Sequence, residues 1–179
     1  MSHPEQRQFF SDVKEQYPEY FKNIKVLDIG SYNVNGCNRS LFENSEYTGL
    51  DIGEGPNVDV VSLAHEYSAT DGYYDTIISS SAFEHDMYIE QTLKNIVRML
   101  RSGGMFLFTC ATGKRSEHGT ITNEPQSSPL TTKINGWDVY YKNLDENDIR
   151  EILNINDIFY DYEFSFIPNL DLRFCGIKK

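Results

Sequence analysis

Short apolar runs, separated by polar or glycine-bearing stretches, mark the chain up to residue 110. The five runs are 24–30 (IKVLDIG), 47–52 (YTGLDI), 58–63 (VDVVSL), 74–79 (YDTIIS) and 105–109 (MFLFT). Continuous apolar runs of this length are typical of strands that are buried on both faces of a sheet. We therefore predict five strands in this part of the chain.

Apolar residues recur at helical spacing in other segments. The predicted helices are 4–17, with Phe9, Phe10 and Val13; a short segment around Leu41 and Phe42; 88–100, with Ile89, Leu93, Ile96, Val97 and Leu100; and a segment with Ile149, Ile152 and Leu153. The pattern over 88–100 is the most regular, and Ser102-Gly103-Gly104 ends it. Asp145, with Asp148 three residues on, is a favourable N-cap for the last helix.

The end of the chain alternates between aromatic and polar residues on either side of Pro168-Asn169, which predicts an antiparallel hairpin. Strands that alternate with helical crossovers predict an α/β fold with a parallel sheet and helices on both faces, to which the hairpin adds an antiparallel strand. Ligands of open sheets bind beyond the carboxyl ends of the strands. We expect one crevice where the chain continues after Gly30, Asp51, Leu63, Ser79 and Thr109.

The net charge and the cysteine content of the chain limit the kinds of partner and the environment that we expect. Asp and Glu outnumber Lys and Arg by 27 to 16, giving a net charge of −11. Such a surface repels polyanions, so we expect no nucleic-acid or membrane partner. Three cysteines without CxxC spacing argue against disulfides and structural zinc. The chain shows no secretory signal and no apolar run near the roughly 18 residues of a membrane span, so we expect a soluble, reduced, cytoplasmic protein.

The first predicted strand leads into a glycine-bearing loop. Gly30 would let a ligand approach the backbone, and Asp28 could accept hydrogen bonds from an ammonium group; an ordinary turn with a capping Asp is the alternative. Tyr32 and Asn33 stand where the glycines of the dinucleotide pattern GxGxxG would be. Asp51, at the end of the second strand, is placed to accept both hydroxyls of a ribose, or is a solvated acid.

Three titratable residues, Glu84, His85 and Asp86, follow the fourth strand. His85 could act as a general base, although a structural hydrogen-bonding role fits equally well. Ser81 and Glu84 are also explained as the capping box of a short helix. No serine lies in the GxSxG context of a hydrolase. We predict no metal site, because ligand spacing to His85 is lacking at the other histidines, His3, His65 and His118.

Four segments in succession resemble the motifs of class I S-adenosylmethionine-dependent methyltransferases. They are KVLDIGSYNVNG, TGLDIGEGPNVDVV, YDTIISSSAFEHD and LRSGGMFLFT, and their order and spacing match across residues 24–110. The segment YYKNLDENDIREIL and the closing hairpin are similar to the end of the family's domain. The resemblance implies a Rossmann-like, doubly wound, mostly parallel sheet of about seven strands with an antiparallel C-terminal hairpin, and S-adenosylmethionine as cofactor.

The resemblance also implies residue roles. The implied cofactor-binding residues are Asp28, Gly30, Ser31 and Tyr32 for the methionine part, Asp51 for the ribose hydroxyls, Ile52 next to it, Ser62 and Leu63 for the adenine, and Ser79 and Ser80 beside the methionine amine and methyl group. The Asn-Pro-Pro-Tyr motif of amino-group DNA methyltransferases is replaced by Ser80-Ser81-Ala82-Phe83, which again disfavours nucleic acid.

Methyl transfer is an in-line displacement from a sulfonium cation, so a protein contributes by aligning nucleophile and methyl group. Glu84 or His85 could serve as base for a protonated acceptor. We expect the acceptor pocket to be built from the long polar loop 111–136 with Trp137, Tyr140 and Tyr141. Trp137 either stacks on a substrate ring or anchors the loop by packing.

The expected organisation is a single methyltransferase-like domain over 1–179. Its parts are an N-terminal helical lid (1–22), a cofactor-binding half (24–110), the loop (111–136), and a substrate-side helix with the C-terminal hairpin (137–179). The preferred function is methyl transfer to a small-molecule acceptor. Two alternatives stay open: a degenerate S-adenosylmethionine-binding module that acts through a protein partner, and an NAD-dependent oxidoreductase, which the missing GxGxxG disfavours.

Overall fold

A computed structural model describes residues 3–168 and 170–179 of the chain. The helices are α1 (Pro4–Gln16), α2 (Ile89–Met99), α3 (Glu146–Ile152) and α4 (Ile155–Ile158). The strands are β1 (Lys25–Ile29), β2 (Glu46–Asp51), β3 (Val60–Val61), β4 (Tyr74–Ser80), β5 (Leu100–Ala111), β6 (Phe159–Ile167) and β7 (Asp171–Lys178). The predicted turn at Pro168-Asn169 falls partly on residue 169, which lies outside the described residues. Among the described helices, none is long and apolar enough to cross a bilayer.

All seven strands form one sheet in the order β3-β2-β1-β4-β5-β7-β6. Neighbouring strands from β1 to β5 are parallel, whereas β7 runs antiparallel to both β5 and β6. The strand order reverses between β1 and β4, which is the topological switch point where open α/β sheets bind ligands. The predicted fold class is confirmed, including the antiparallel hairpin.

The two faces of the sheet carry separate apolar clusters because side chains alternate along each strand. On one face, Leu27, Ile77 and Phe106 pack with α2 and α3. On the other face, Val26 and Ile78 belong to the cluster that contains the Phe10 and Val13 side chains of α1. Helices therefore cover both faces, and α1 is a packed layer of the core. The lid role of the predicted segment 1–22 stays a prediction.

Three elements differ from the pattern-based expectation. The segment around Leu41 and Phe42 holds only a 3-10 helix, Arg39–Leu41. The preceding stretch is rich in Asn and Gly, which favour turns over a crossover helix. Strand β3 is limited to Val60–Val61, paired with the end of β2. Strand β5 begins at Leu100, so Ser102-Gly103-Gly104 lies within the strand, next to an irregularity in its pairing with β4.

Candidate active site

A cavity lies at the carboxyl ends of β1, β2 and β4, with about 720 Å³ of empty space that includes part of the solvent at its mouth. Its lining residues are Ile29, Gly30, Tyr32, Val34, Leu50, Asp51, Ile52, Ser62, Ala64, Ser81, Ala82, Phe83, His85, Asp86, Ser127, Ser128, Pro129, Leu130, Thr131 and Trp137. The predicted crevice is thus formed where the strand order reverses.

Asp51 lines this cavity, and its carboxylate is held by two backbone hydrogen bonds. One carboxylate oxygen accepts the backbone N–H of Tyr32 at 2.9 Å, and the other accepts that of Ile52 at 2.8 Å. Burial raises the pKa of Asp51, and these two backbone hydrogen bonds oppose the rise. A carboxylate has about four acceptor positions, so Asp51 can accept further hydrogen bonds from two hydroxyl groups.

The loop after β1 approaches the segment after β4 so closely that only glycine fits at position 30. Gly30 has φ +75°, and a Cβ atom there would lie 2.2 Å from the Cβ of Ala82. The N–H groups of Gly30 and Ser31 both donate to the carbonyl of Leu50, at 2.9 and 3.1 Å. The loop backbone is therefore tied to β2 and forms one wall of the cavity.

Asp28 does not reach the cavity, which departs from its predicted contact with the methionine part of the cofactor. It is 4% exposed, and its carboxylate accepts the hydroxyl of Tyr47 at 2.5 Å. Alternation along β1 directs Asp28 to the sheet face opposite Ile29, which does line the cavity. Burial raises the pKa of Asp28 to about 7, against the opposing hydrogen bond from Tyr47.

Two other predicted cofactor residues, Ser79 and Leu63, use polar groups in hydrogen bonds of the scaffold. The Ser79 hydroxyl donates to the carbonyl of Ile29 at 2.9 Å and joins β4 to β1. The carbonyl of Leu63 accepts backbone N–H groups from the following turn. Five of the residues predicted to bind the cofactor line the cavity: Gly30, Tyr32, Asp51, Ile52 and Ser62. The other five do not line it: Asp28, Ser31, Leu63, Ser79 and Ser80.

The capping box expected at Ser81 and Glu84 is wrong. Ser81 has a left-handed backbone, φ +52°, and its hydroxyl accepts the side-chain amide of Gln6 at 2.6 Å. The 3-10 helix Phe83–His85 begins after Ala82 and has no side-chain cap. The carboxylate of Glu84 is therefore left without the backbone partner that a capping box would supply.

Glu84, His85 and His118 form a buried cluster at the side of the cavity, with exposed fractions of 0%, 4% and 7%. The His118 Nε2 atom lies 3.9 Å from a Glu84 carboxylate oxygen, and the two imidazole rings are perpendicular at 5.5 Å between centroids. The Tyr141 ring packs against both imidazoles. His118 comes from the long loop, and its distance from His85 along the chain gave no sequence signal of this contact.

Burial controls the protonation of the two histidines. It lowers the pKa of His85 to about 4 and also lowers the pKa of His118. For Glu84, burial acts to raise the pKa, whereas positive charge on His85 and His118, when these rings are protonated, contributes to a net lowering. The cluster therefore favours neutral imidazoles beside a carboxylate.

The long loop, which was predicted to build the acceptor pocket, contributes a wall of the cavity through residues 127–131. Leu130 packs close to Gly53, where a Cβ atom would lie 3.1 Å from a Leu130 methyl group. Trp137 lines the cavity and its ring lies 6.0 Å from that of Tyr88. Tyr140 and Tyr141, predicted with Trp137, are half-buried outside the lining.

A family model described as a methyltransferase domain matches residues 12–108, more than half of the chain. The chain belongs to the class I S-adenosylmethionine-dependent methyltransferase family. This assignment agrees with the strand order, the cavity at the switch point and the glycine-bearing loop after β1. No curated protein matches the methyltransferase chain.

Solved structures of low sequence identity share the fold. A phosphoethanolamine N-methyltransferase 2 from Haemonchus contortus, in complex with S-adenosyl-L-methionine, has a TM-score of 0.66 at 17% identity, with 96% of this chain and 52% of that chain covered. This methyltransferase therefore spans about half the length of that protein. A SAM-dependent methyltransferase from Archaeoglobus fulgidus has a TM-score of 0.63 at 18% identity, with 96% of this chain and 94% of that chain covered. A 1,6-didemethyltoxoflavin-N1-methyltransferase from Burkholderia thailandensis has a TM-score of 0.61 at 15% identity, with 100% of this chain and 92% of that chain covered.

Proposed function

We propose that this chain binds S-adenosylmethionine in the cavity at the switch point and transfers its methyl group to a small-molecule acceptor. The observation that carries the proposal is the Asp51 carboxylate, which faces the cavity with two acceptor positions left after its backbone bonds. The Haemonchus and Burkholderia structures, of similar fold, contain S-adenosylmethionine or S-adenosylhomocysteine. The Burkholderia structure also contains a small-molecule substrate.

The residues of the cavity fit this cofactor. Asp51 would accept the two ribose hydroxyls, and the Gly30 loop offers backbone without an intervening side chain. Ile52 and Leu130 supply apolar surface for a planar base. When bound, S-adenosylmethionine supplies an electrophilic methyl group on a sulfonium cation.

The acceptor would enter from the side of the loop and Trp137. Residues 127–131 and the indole ring close this part of the cavity, and Trp137 can stack on an acceptor ring. Holding the acceptor in line with the methyl group is the main task of these residues. His85 lines the cavity, but a pKa of about 4 makes it a weak base at neutral pH, and we assign it no proton-transfer step.

The single-domain organisation over 1–179 belongs to the same proposal. Within it, 24–110 forms the cofactor half, and 111–136 with 137–179 forms the acceptor side and the hairpin. The continuous seven-stranded sheet supports a single domain, since β7 pairs directly with β5 of the cofactor half.

Calorimetric titration of the purified chain tests the proposal, with S-adenosylmethionine, S-adenosylhomocysteine and NAD(H) as ligands. We expect the first two to bind. Asp51→Ala should weaken binding roughly 10- to 100-fold, since a hydrogen bond to a charged group contributes about 1.5–3 kcal/mol. Asp75→Ala is the matched control, because Asp75 also accepts a backbone N–H, from Lys25, at the opposite end of β4.

Each outcome separates the alternatives. Binding of both adenosyl ligands that Asp51→Ala weakens and Asp75→Ala preserves supports the cofactor site. Binding without methyl transfer to any member of an acceptor panel contradicts the enzyme and favours the degenerate module. Binding of NAD(H) alone favours the oxidoreductase.

A further inference from the structure

The buried cluster beside the cavity contains more unpartnered polar atoms than protein groups alone can satisfy. In the described part of the chain, no hydrogen-bond partner is found for either carboxylate oxygen of Glu84, either ring nitrogen of His85, or Nε2 of His118. Buried polar atoms are almost always hydrogen-bonded, and a buried charge without a partner is strongly unfavourable. The cluster therefore calls for a group that all three side chains can share.

The hydrogen bonding of His118 identifies the kind of group. Its Nδ1 lies 3.0 Å from the carbonyl oxygen of Ser116. A carbonyl only accepts, so Nδ1 carries the proton and, in the neutral ring, Nε2 presents a lone pair. That nitrogen lies 3.9 Å from a Glu84 carboxylate oxygen. With no proton on either atom, two hydrogen-bond acceptors face each other, and a cation between them would bind both.

We propose that Glu84, His85 and His118 bind a divalent transition-metal ion, with Zn²⁺ as the representative. One ligand atom from each of the three side chains can be chosen so that all lie within 4.8 Å of one another. Imidazole nitrogen and carboxylate oxygen bind Zn²⁺ at about 2.0–2.2 Å in a tetrahedral arrangement, so the ligand atoms of one ion lie about 3.3–3.6 Å apart. Binding would therefore draw the three side chains together by roughly 1 Å.

The ligand set favours a transition metal over Mg²⁺. Two imidazoles with one carboxylate suit zinc and its neighbours, whereas Mg²⁺ prefers oxygen ligands. Three protein ligands also leave a coordination position open. The backbone bond from Nδ1 of His118 is the outer contact that commonly orients a metal-binding imidazole.

The fold holds the three ligands in place from two directions. Glu84 and His85 are adjacent in the 3-10 helix after β4, and His118 comes from the loop. Gly119, with φ +67°, allows this approach, because a Cβ atom there would lie 2.7 Å from the His85 ring. A bound ion would fix the loop to the sheet next to the cavity, which His85 lines. The site goes beyond the proposed function, and its test needs no methyl donor.

Zinc titration of the chelator-treated full-length chain is the test. We expect calorimetry to show one Zn²⁺ per chain and the melting temperature to rise with zinc, since the folded state binds the ion. Co²⁺ should give the visible absorption of a site with nitrogen and oxygen ligands. Glu84→Gln and His118→Ala should each weaken zinc binding by at least the roughly 10- to 100-fold that outer-shell contacts alone contribute.

His65→Gln is the matched control, because His65 is also mostly buried but lies outside the cluster. Glu84→Gln removes a buried carboxylate without partners, so its metal-free melting temperature should equal or exceed that of the parent. This baseline separates lost binding from lost folding. Failure of the parent to bind zinc, equal binding by both ligand variants, or loss of binding only in His65→Gln would overturn the site.

Discussion

At the scale of single residues, backbone conformation decides what the loop after β1 tolerates. Gly30 combines a left-handed backbone with direct contact to Ala82, and Gly136 has a similar left-handed backbone, φ +89°, with nothing within 4 Å of an added Cβ. The two glycines therefore separate the cost of backbone strain from the cost of a steric clash.

Gly30→Ala should lower the free energy of unfolding by about 2–5 kcal/mol, the sum of left-handed strain and overpacking. Gly136→Ala should lower it by only about 1–2 kcal/mol, since it carries strain alone. Urea denaturation of both variants measures the difference. Equal losses would mean that Ala82 and the loop move apart at little cost.

Asp28 should make the protein less stable as the pH rises. Its pKa of about 7 in the folded chain lies above the value of about 3.9 for an unfolded Asp, so the folded state holds the proton more tightly. Stability is then lost as pH rises from about 4 to about 7 and is level above that. The loss is on the order of 2–4 kcal/mol.

Asp28→Asn should remove this loss and be more stable than the parent above pH 7. The amide still accepts from Tyr47 and carries no charge to bury. Urea denaturation of the parent and of Asp28→Asn between pH 4 and pH 8 measures this difference in stability. Asp12→Asn is the control, because Asp12 is exposed. Parallel stability curves for parent and Asp28→Asn would contradict the effect.

At the scale of elements, one buried carboxylate joins the N-terminal helix, the long loop and the hairpin. Asp171, at the start of β7, is 0% exposed. It accepts hydrogen bonds from Gln6 of α1 at 2.9 Å and Arg115 of the loop at 3.0 Å, and His3 lies within 3.2 Å. This network fixes the loop near its start, so that its later residues can line the cavity.

Asp171→Ala should lower the free energy of unfolding by about 3–5 kcal/mol, because it removes the fully buried carboxylate that pairs with the partly buried Arg115 guanidinium. Glu146→Ala breaks a more exposed ion pair with Arg150 in α3 and should cost below about 1 kcal/mol. Denaturant titration of the two variants compares them. A small loss for Asp171→Ala would show that water replaces the network.

Strand cores could be predicted from the sequence because a strand buried on both faces must be apolar along its whole length. The connection from β1 to β2 could not, since the apolar pair Leu41 and Phe42 fits a helix or a 3-10 turn equally well. The placement of Gly30 and Asp51 at one crevice could be predicted, because both follow predicted strands and parallel strands bring their carboxyl ends together. Asp28 was predicted to contact the ligand but does not line the cavity, because a strand that is apolar on both faces does not show which face Asp28 occupies.

At the scale of the whole molecule, the reversal of strand order creates the cavity, and residues 127–131 of the loop 111–136 form one of its walls. The path of this loop depends on tertiary contacts such as Arg115 with Asp171, which local sequence does not encode. The sequence placed the loop 111–136 in the acceptor pocket, but only the three-dimensional structure showed that residues 127–131 line the cavity and that His118 contacts His85. The proposed function requires that this cavity is the cofactor site.

A crystal structure of the chain with S-adenosylhomocysteine tests that claim most directly. We predict electron density for the ligand in the cavity, with the ribose hydroxyls on Asp51, the chain of the amino acid along the Gly30 loop, and residues 127–131 against the ligand. Density at another site, or a cavity filled only by solvent at saturating ligand, would contradict the account.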